Sequence, residues 1–297
     1  YDLVVDPGDA NTVYAGLHGS GVYRSTDGGE YWSRKNDGID GYDAYATADR
    51  SIALDPAATN QLVFGTSDRN SYLSHDRALN WSNSPLFDAY VFAAAPSQAH
   101  HLYASTTNGS IYFSADFGAH WGARSSAQTT AYFNVDPTNE NVLFGGGGDG
   151  ASSVKKSVNG GYNFSASASG ISGYPVTGAA VDPGNPNQVF VSTFGWGVML
   201  STNNGASWGQ RNNGLPSGNI QGLAMDPMQP AVLYALTPSS GVYKSNNSGD
   251  SWGVLSGAYP TAGPEIYSLD NPYRIPPPLE PSSGPLEESA PALNAAA

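Results

Sequence analysis

Six copies of one eight-residue turn run through this chain at nearly constant spacing, and that periodicity constrains the fold more than any single residue does. The first copy reads STDGGEYW from Ser25 to Trp32. The others are SHDRALNW (Ser74 to Trp81), SADFGAHW (Ser114 to Trp121), SVNGGYNF (Ser157 to Phe164), STNNGASW (Ser201 to Trp208) and SNNSGDSW (Ser245 to Trp252). Their first serines lie 49, 40, 43, 44 and 44 residues apart. A period of that length is what a four-stranded supersecondary unit produces when it is copied around a ring.

A second mark keeps phase with the first, a short apolar run ending in Asp-Pro. It occurs at Asp6-Pro7, Asp55-Pro56, Asp136-Pro137, Asp182-Pro183 and Asp226-Pro227, with Ala95-Pro96 as a degenerate copy. The interval from this mark to the next serine is 19 residues in five copies and 21 in the fourth, where a glycine run at Gly145 to Gly150 adds length. Within a unit the apolar runs are short and alternating and are punctuated by Gly, Asn, Asp and Pro, so they read as strands. In the first unit these are Leu3-Val4-Val5, Thr12 to Gly16, Gly21 to Ser25 and Tyr31-Trp32-Ser33. Four antiparallel strands repeated six times describe an all-β, six-bladed β-propeller over residues 1–255.

The turn has a mechanical reading. Its first residue is always serine: Ser25, Ser74, Ser114, Ser157, Ser201 and Ser245. The third is Asp or Asn (Asp27, Asp76, Asp116, Asn159, Asn203, Asn247), whose side chain can accept backbone N–H bonds. The fifth is Gly in five copies (Gly29, Gly118, Gly161, Gly205, Gly249), where positive φ costs nothing. The last is a large apolar anchor: Trp32, Trp81, Trp121, Phe164, Trp208 and Trp252. These turns resemble the Asp-box, or BNR-repeat, of a family of propellers that includes sialidases, xyloglucanases, sortilin-type receptors and photosystem assembly factors. The resemblance covers residues 1 to about 255. It implies that the box joins the third and fourth strands of each blade, away from the ligand face, and that its residues hold the fold.

Composition narrows the function classes. The chain has no Cys, so neither a disulfide framework nor a thiolate metal site can be built. The five histidines (18, 75, 100, 101 and 120) lack metal-ligand spacing, and neither a metal nor a cofactor is expected. A net charge of −13, with only 12 basic residues that do not cluster, excludes nucleic acid as a partner. No run reaches the length of a membrane-spanning helix. The chain begins at Tyr1, already inside a strand and without Met, from which we expect a leader and an extracytoplasmic location, periplasmic or secreted.

After Trp252 the grammar changes. Residues 256–297 carry nine of the 21 prolines, and beyond Ile275 the segment reads as extended and polyproline-like. Glu265 to Asp270 echoes the apolar-run-plus-Asp mark, so a seven-bladed ring whose last blade comes partly from this tail is the architectural alternative. A preformed extended tail suits docking along a partner protein.

Three enzymatic readings are weighed against this scaffold. Tyr273-Arg274-Ile275-Pro276 resembles the sialidase arginine motif, but it lies in the tail and not at the start of the propeller. Gly145 to Gly150 contains GxGxxG, yet the residues after it, Ala151 to Ser157, read as a strand where a dinucleotide cradle needs a helix N-terminus. The wording of the fifth and sixth units resembles xyloglucan-cleaving glycoside hydrolases. That resemblance implies a cleft between two seven-bladed propellers with one catalytic carboxylate on each, which a single ring does not supply. A glycosidase pair would be drawn from loop acids on the face opposite the boxes: Asp40, Asp43, Asp49, Asp68, Asp88 and Asp149. That face also carries His18, Arg69, Asn108, Tyr42, Tyr45, Tyr90, Tyr174 and Trp196, and Trp196 is the one tryptophan outside a box turn. We take Trp196, Asp68, Arg69, Tyr45, Tyr90 and Asp149 as the candidate binding face. The sequence reads as a non-catalytic scaffold subunit of a larger assembly, binding partner proteins through that face and the tail. The alternative is a glycoside hydrolase or glycan-binding propeller.

Overall fold

Each Asp-Pro mark closes the innermost strand of a sheet, and each eight-residue turn leads from the third strand to the fourth. The computed structural model describes residues 2–17, 20–39, 51–66, 69–126, 132–146, 154–167, 169–171 and 173–255, and at Tyr90 the backbone alone. The first blade comprises β1 (Asp2–Asp6), β2 (Asp9–Leu17), β3 (Gly21–Ser25) and β4 (Ser33–Arg34). The second comprises β5 (Ser51–Leu54), β6 (Leu62–Gly65), β7 (Ser71–Ser74) and β8 (Ser82–Asn83). The third comprises β9 (Ala89–Ala94), β10 (Leu102–Thr106), β11 (Ile111–Ser114) and β12 (Gly122–Ser125). The fourth comprises β13 (Tyr132–Asp136), β14 (Asn139–Gly146), β15 (Lys155–Ser157) and β16 (Ser165–Ala166). The fifth comprises β17 (Val176–Val181), β18 (Val189–Thr193), β19 (Gly197–Ser201) and β20 (Gly209–Gln210). The sixth comprises β21 (Gly222–Met225), β22 (Leu233–Thr237), β23 (Gly241–Ser245) and β24 (Gly253–Val254).

Every sheet is four-stranded, antiparallel and paired in chain order, and the six are set as the blades of a propeller. There is no helix among the described residues, hence none long and apolar enough to cross a membrane. The tail, and with it the seventh blade raised as an alternative, lies outside the described residues.

Two features differ from the reading of the sequence. Several middle strands are not half-buried: all residues of β6, β7, β10, β18 and β19 are buried, because the second, third and fifth sheets are covered by a neighbouring blade on both faces. The fourth strand of the first blade starts at Ser33, after the box aromatic, and Tyr31 is left 79% exposed. Among the described residues the core divides into five apolar clusters, one at each joint between consecutive blades.

The eight-residue turns are nearly identical in geometry. The serine Oγ accepts from the N–H of the fifth residue at 2.7–2.9 Å in all six. It donates to the Asp or Asn side chain at 2.7–3.0 Å. That side chain in turn accepts from the N–H of the seventh residue at 2.8–3.0 Å. The Ser25 hydroxyl, with backbone amides, holds the Asp27 carboxyl below its usual value. Burial pushes Asp76 and Asp116 up, but donors from Asn80 and Ser74, and from His120 and Ser114, outweigh it and leave both lowered.

Positive φ is needed at the fourth residue as well as the fifth, a requirement the sequence hides because Arg77, Phe117, Asn204 and Ser248 occupy that position. Its N–H bonds a carbonyl in the connection between the first two strands of the same blade, for example Asn204 to Asn187 at 2.9 Å. That bond gives back what the backbone strain costs.

The box tryptophans latch blade to blade. Trp81, Trp208 and Trp252 are buried, and their indole N–H groups donate to the carbonyls of Lys35, Ser167 and Arg211, each the residue just after the fourth strand of the preceding blade. Trp121 uses the Ser84 hydroxyl instead. Trp32, in the first blade, donates to Gly29 in its own turn.

Candidate functional site

The loops between second and third strands, together with the inter-blade connections, lie at the end opposite the eight-residue turns. Of the six candidate acids, only Asp88 falls among the described residues; Asp40, Asp43, Asp49, Asp68 and Asp149 lie outside them, as do Tyr42, Tyr45 and His18 and the side chain of Tyr90. Arg69, in the β6–β7 loop, and Asp88, just before β9, come together. The Arg69 Nε stands 3.6 Å from the Asp88 carboxylate, and the Asp88 N–H donates to the Arg69 carbonyl at 2.6 Å. The Thr107 hydroxyl donates to the other carboxylate oxygen. Both Arg69 and Asp88 have positive φ (75° and 67°). Asp88 is thus pinned as an acceptor between a cation and a hydroxyl.

Beside this pair a cavity of about 600 Å³ runs along the third blade. Asp88, Thr106 and Asn108 line one end, Tyr112 and Trp121 the wall, and His120 the other end, with Phe87 61% exposed at its rim. Its mix of aromatic faces and a few fixed polar groups suits a peptide or a sugar equally.

Trp196 sits elsewhere on the same end, in the β18–β19 turn. Its ring stacks on Tyr174 with centroids 5.2 Å apart and planes 22° from parallel, and it packs partly buried against the cluster between the fourth and fifth blades. Asn212 holds the turn, donating to the Trp196 carbonyl at 2.7 Å and accepting from the Val198 N–H at 2.8 Å. One ring face is therefore taken, and the solvent-facing aromatic of the turn is Phe194, 46% exposed.

Two histidines carry roles that the sequence did not signal. The Nδ1 of His100 meets the fully buried Asp55 of the second blade, and that of His101 meets Glu140 of the fourth, so this adjacent pair ties the third blade to both neighbours. Their spacing carries no such information, since each partner lies about 40 residues away in sequence. His120 is exposed and bonds Asp116 at 2.6 Å. No group of three or more His, Asp or Glu is placed to hold a metal ion among the described residues.

No family profile and no curated protein sequence matches the chain. Solved structures do match it in fold. An ancestral GH74 enzyme aligns with a TM-score of 0.70 and 20% identity over 87% of this chain and 38% of its own. The GH74 xyloglucanase of Xanthomonas campestris aligns at 0.69 and 18% over 86% and 45%. YCF48 bound to a D1 peptide aligns at 0.63 and 15% over 84% of this chain and 80% of its own. The chain thus spans less than half the length of these GH74 enzymes and matches most of YCF48. At such identities the likeness establishes the propeller fold.

Proposed function

We propose that this chain is a non-catalytic interaction or scaffold subunit of a larger extracytoplasmic assembly, built on an Asp-box propeller, that binds partner proteins through its loop face and its C-terminal tail. The observation that carries this reading is the YCF48 likeness, which spans 80% of a chain seen with a peptide bound. The cavity beside Asp88 is the place for a peptide, with Phe87 as its apolar anchor.

Glycan binding or hydrolysis is the second reading, favoured by the GH74 likeness and by the aromatic wall of that cavity. One experiment separates the two. The native protein is purified gently and its mass in solution compared with that of a version ending at Asn271, which removes the proline-rich arm; both are assayed for reducing ends released from xyloglucan. A defined complex that the shortened chain fails to join supports the scaffold. Two free monomers that release sugar overturn it.

A further inference from the structure

The five inter-blade joints follow one register rule. Counting back from the Asp-Pro mark, or from Ala95 in the third blade, the residue four before it meets the residue three before it in the next blade. The Asp2 carboxylate accepts from the Ile52 N–H at 2.9 Å, and the Ser51 hydroxyl from the Phe92 N–H at 3.2 Å. The Tyr132 hydroxyl donates to the Ala179 carbonyl at 2.8 Å, and a Cβ built on Gly178 would stand 3.4 Å from that of Leu223. At the remaining joint, Val91 packs on the cluster containing Phe133. Residues three and one before the mark face the preceding blade, as Ile52 with Leu54 and Leu223 with Met225 do, whereas the residue two before it, Ala53 or Ala180, faces the next.

The sixth blade has no such successor among the described residues. β21 makes no joint with β1 of the extent seen between the other innermost strands. No box indole donates to the Leu255 carbonyl, although Leu255 occupies the place of Lys35, Ser167 and Arg211 and makes the same backbone bond to its third strand. A cavity of about 530 Å³ opens at the outer edge of this blade, with Lys244, Gly253 and Leu255 in its lining. The sequence holds an occupant in step. From the last residue of a fourth strand to the next mark is 21, 12 and 11 residues at the first three connections and 16 at the last two, β16 to Asp182 and β20 to Asp226; 16 residues after the last residue of β24 stands Asp270, preceded by IYSL.

We propose that Glu265 to Asp270 docks on the sixth blade as the innermost strand of a seventh, with Tyr267 against Gly222, Tyr267 and Leu269 facing β21, and Ser268 facing away. The apolar residues fall on the two positions that pack and the polar one on the position that does not. The tail beyond Asp270 then leaves from a fixed point on the ring. The inference stands whether or not the tail serves a partner.

Because the chain has no cysteine, the register can be read by crosslinking the full-length protein. The double variant Gly178→Cys with Leu223→Cys reports an existing joint, since a Cβ separation of 3.4 Å is near the disulfide range of about 3.5–4.5 Å. Gly222→Cys with Tyr267→Cys reports the proposed joint, and Gly222→Cys with Ser268→Cys is its out-of-register control. We expect intramolecular disulfide in the first two and at least about tenfold less in the third. Equal yields with Tyr267 and Ser268, or disulfide between two copies of the chain, overturn the proposal. If the Gly222 variants do not fold, single substitutions decide. Leu269→Asp should lower the Tm by roughly 4 °C or more while Ser268→Asp leaves it unchanged, and indistinguishable values refute the docking.

Discussion

Ser201→Ala tests whether the repeated turns hold the fold through their serines. Ser201 is fully buried, and its Oγ accepts from the Gly205 N–H at 2.8 Å while donating to Asn203 Oδ1 at 2.9 Å. Alanine fills almost the same space, so packing changes little. The substitution removes the acceptor of a buried amide at a position with φ of 85°, where the turn cannot relax to find another. Leaving such a donor unsatisfied costs about 1–3 kcal/mol. For a chain of this size that corresponds to a Tm decrease of roughly 2–4 °C per kcal/mol, or about 4–8 °C for the middle of the range. Thermal unfolding followed by circular dichroism is the assay, with Ser207→Ala as control. Ser207 accepts from Asn203 at 2.9 Å but lies exposed in the same turn, and its removal should cost less than about 0.5 kcal/mol. The double variant Ser201→Ala with Asn203→Ala should cost less than the sum of its parts, since the two side chains share a bond. If Ser201→Ala and Ser207→Ala are equally mild, the serine is not what organises the turn and the argument for all six copies fails.

Acid should loosen the first three blades before the last three. Asp27, Asp76 and Asp116 have carboxyls lowered in the folded state from an ordinary value of 3.8, so the stability they contribute is present above that value and is lost as pH falls through the lowered ones. The corresponding Asn159, Asn203 and Asn247 do not titrate, so as pH falls below 3.8 amide protection should be lost first at the turns of blades one to three; uniform loss would contradict this. Gly214→Ala should destabilise by about 2–4 kcal/mol, because the residue has φ of 92° and a methyl there runs into the Trp252 carbonyl oxygen; a denaturant midpoint close to wild type would show that the inter-blade latch yields easily. Trp196→Ala should cost about 2–3 kcal/mol through its lost packing on Tyr174 and the fourth-to-fifth joint; a variant of unchanged stability that loses ligand binding would instead mark Trp196 as a contact residue.

The architecture was legible because a propeller repeats. Six serines, six Asp or Asn residues and six aromatics in fixed phase reveal the unit, and Gly, Asn and Pro mark its turns, all through local chemistry. The alternation read within each blade was less informative. Where two neighbours cover a sheet, as with Leu62 to Gly65, both faces are apolar and the period of two disappears. The positive φ of Arg77, Phe117, Asn204 and Ser248 left no trace either, since a bond to a distant carbonyl and not the residue type enforces it. On the loop face, Arg69, Asp88 and Asn108 were each named from the sequence, but that Arg69 pairs with Asp88, and that Asp88 and Asn108 share one cavity, was not.

The sequence by itself determined the number of units, the strands within them and the turns that join them, because each depends on contacts between residues close in the chain. Only the tertiary structure decided which blade face meets which, that Trp81, Trp121, Trp208 and Trp252 bond the preceding blade, that His100 and His101 reach Asp55 and Glu140, and that Trp196 lies flat on Tyr174. Those contacts depend on how one unit is rotated against the next. That rotation is set by packing across the joints, where small apolar residues of similar kind carry no label for their partners.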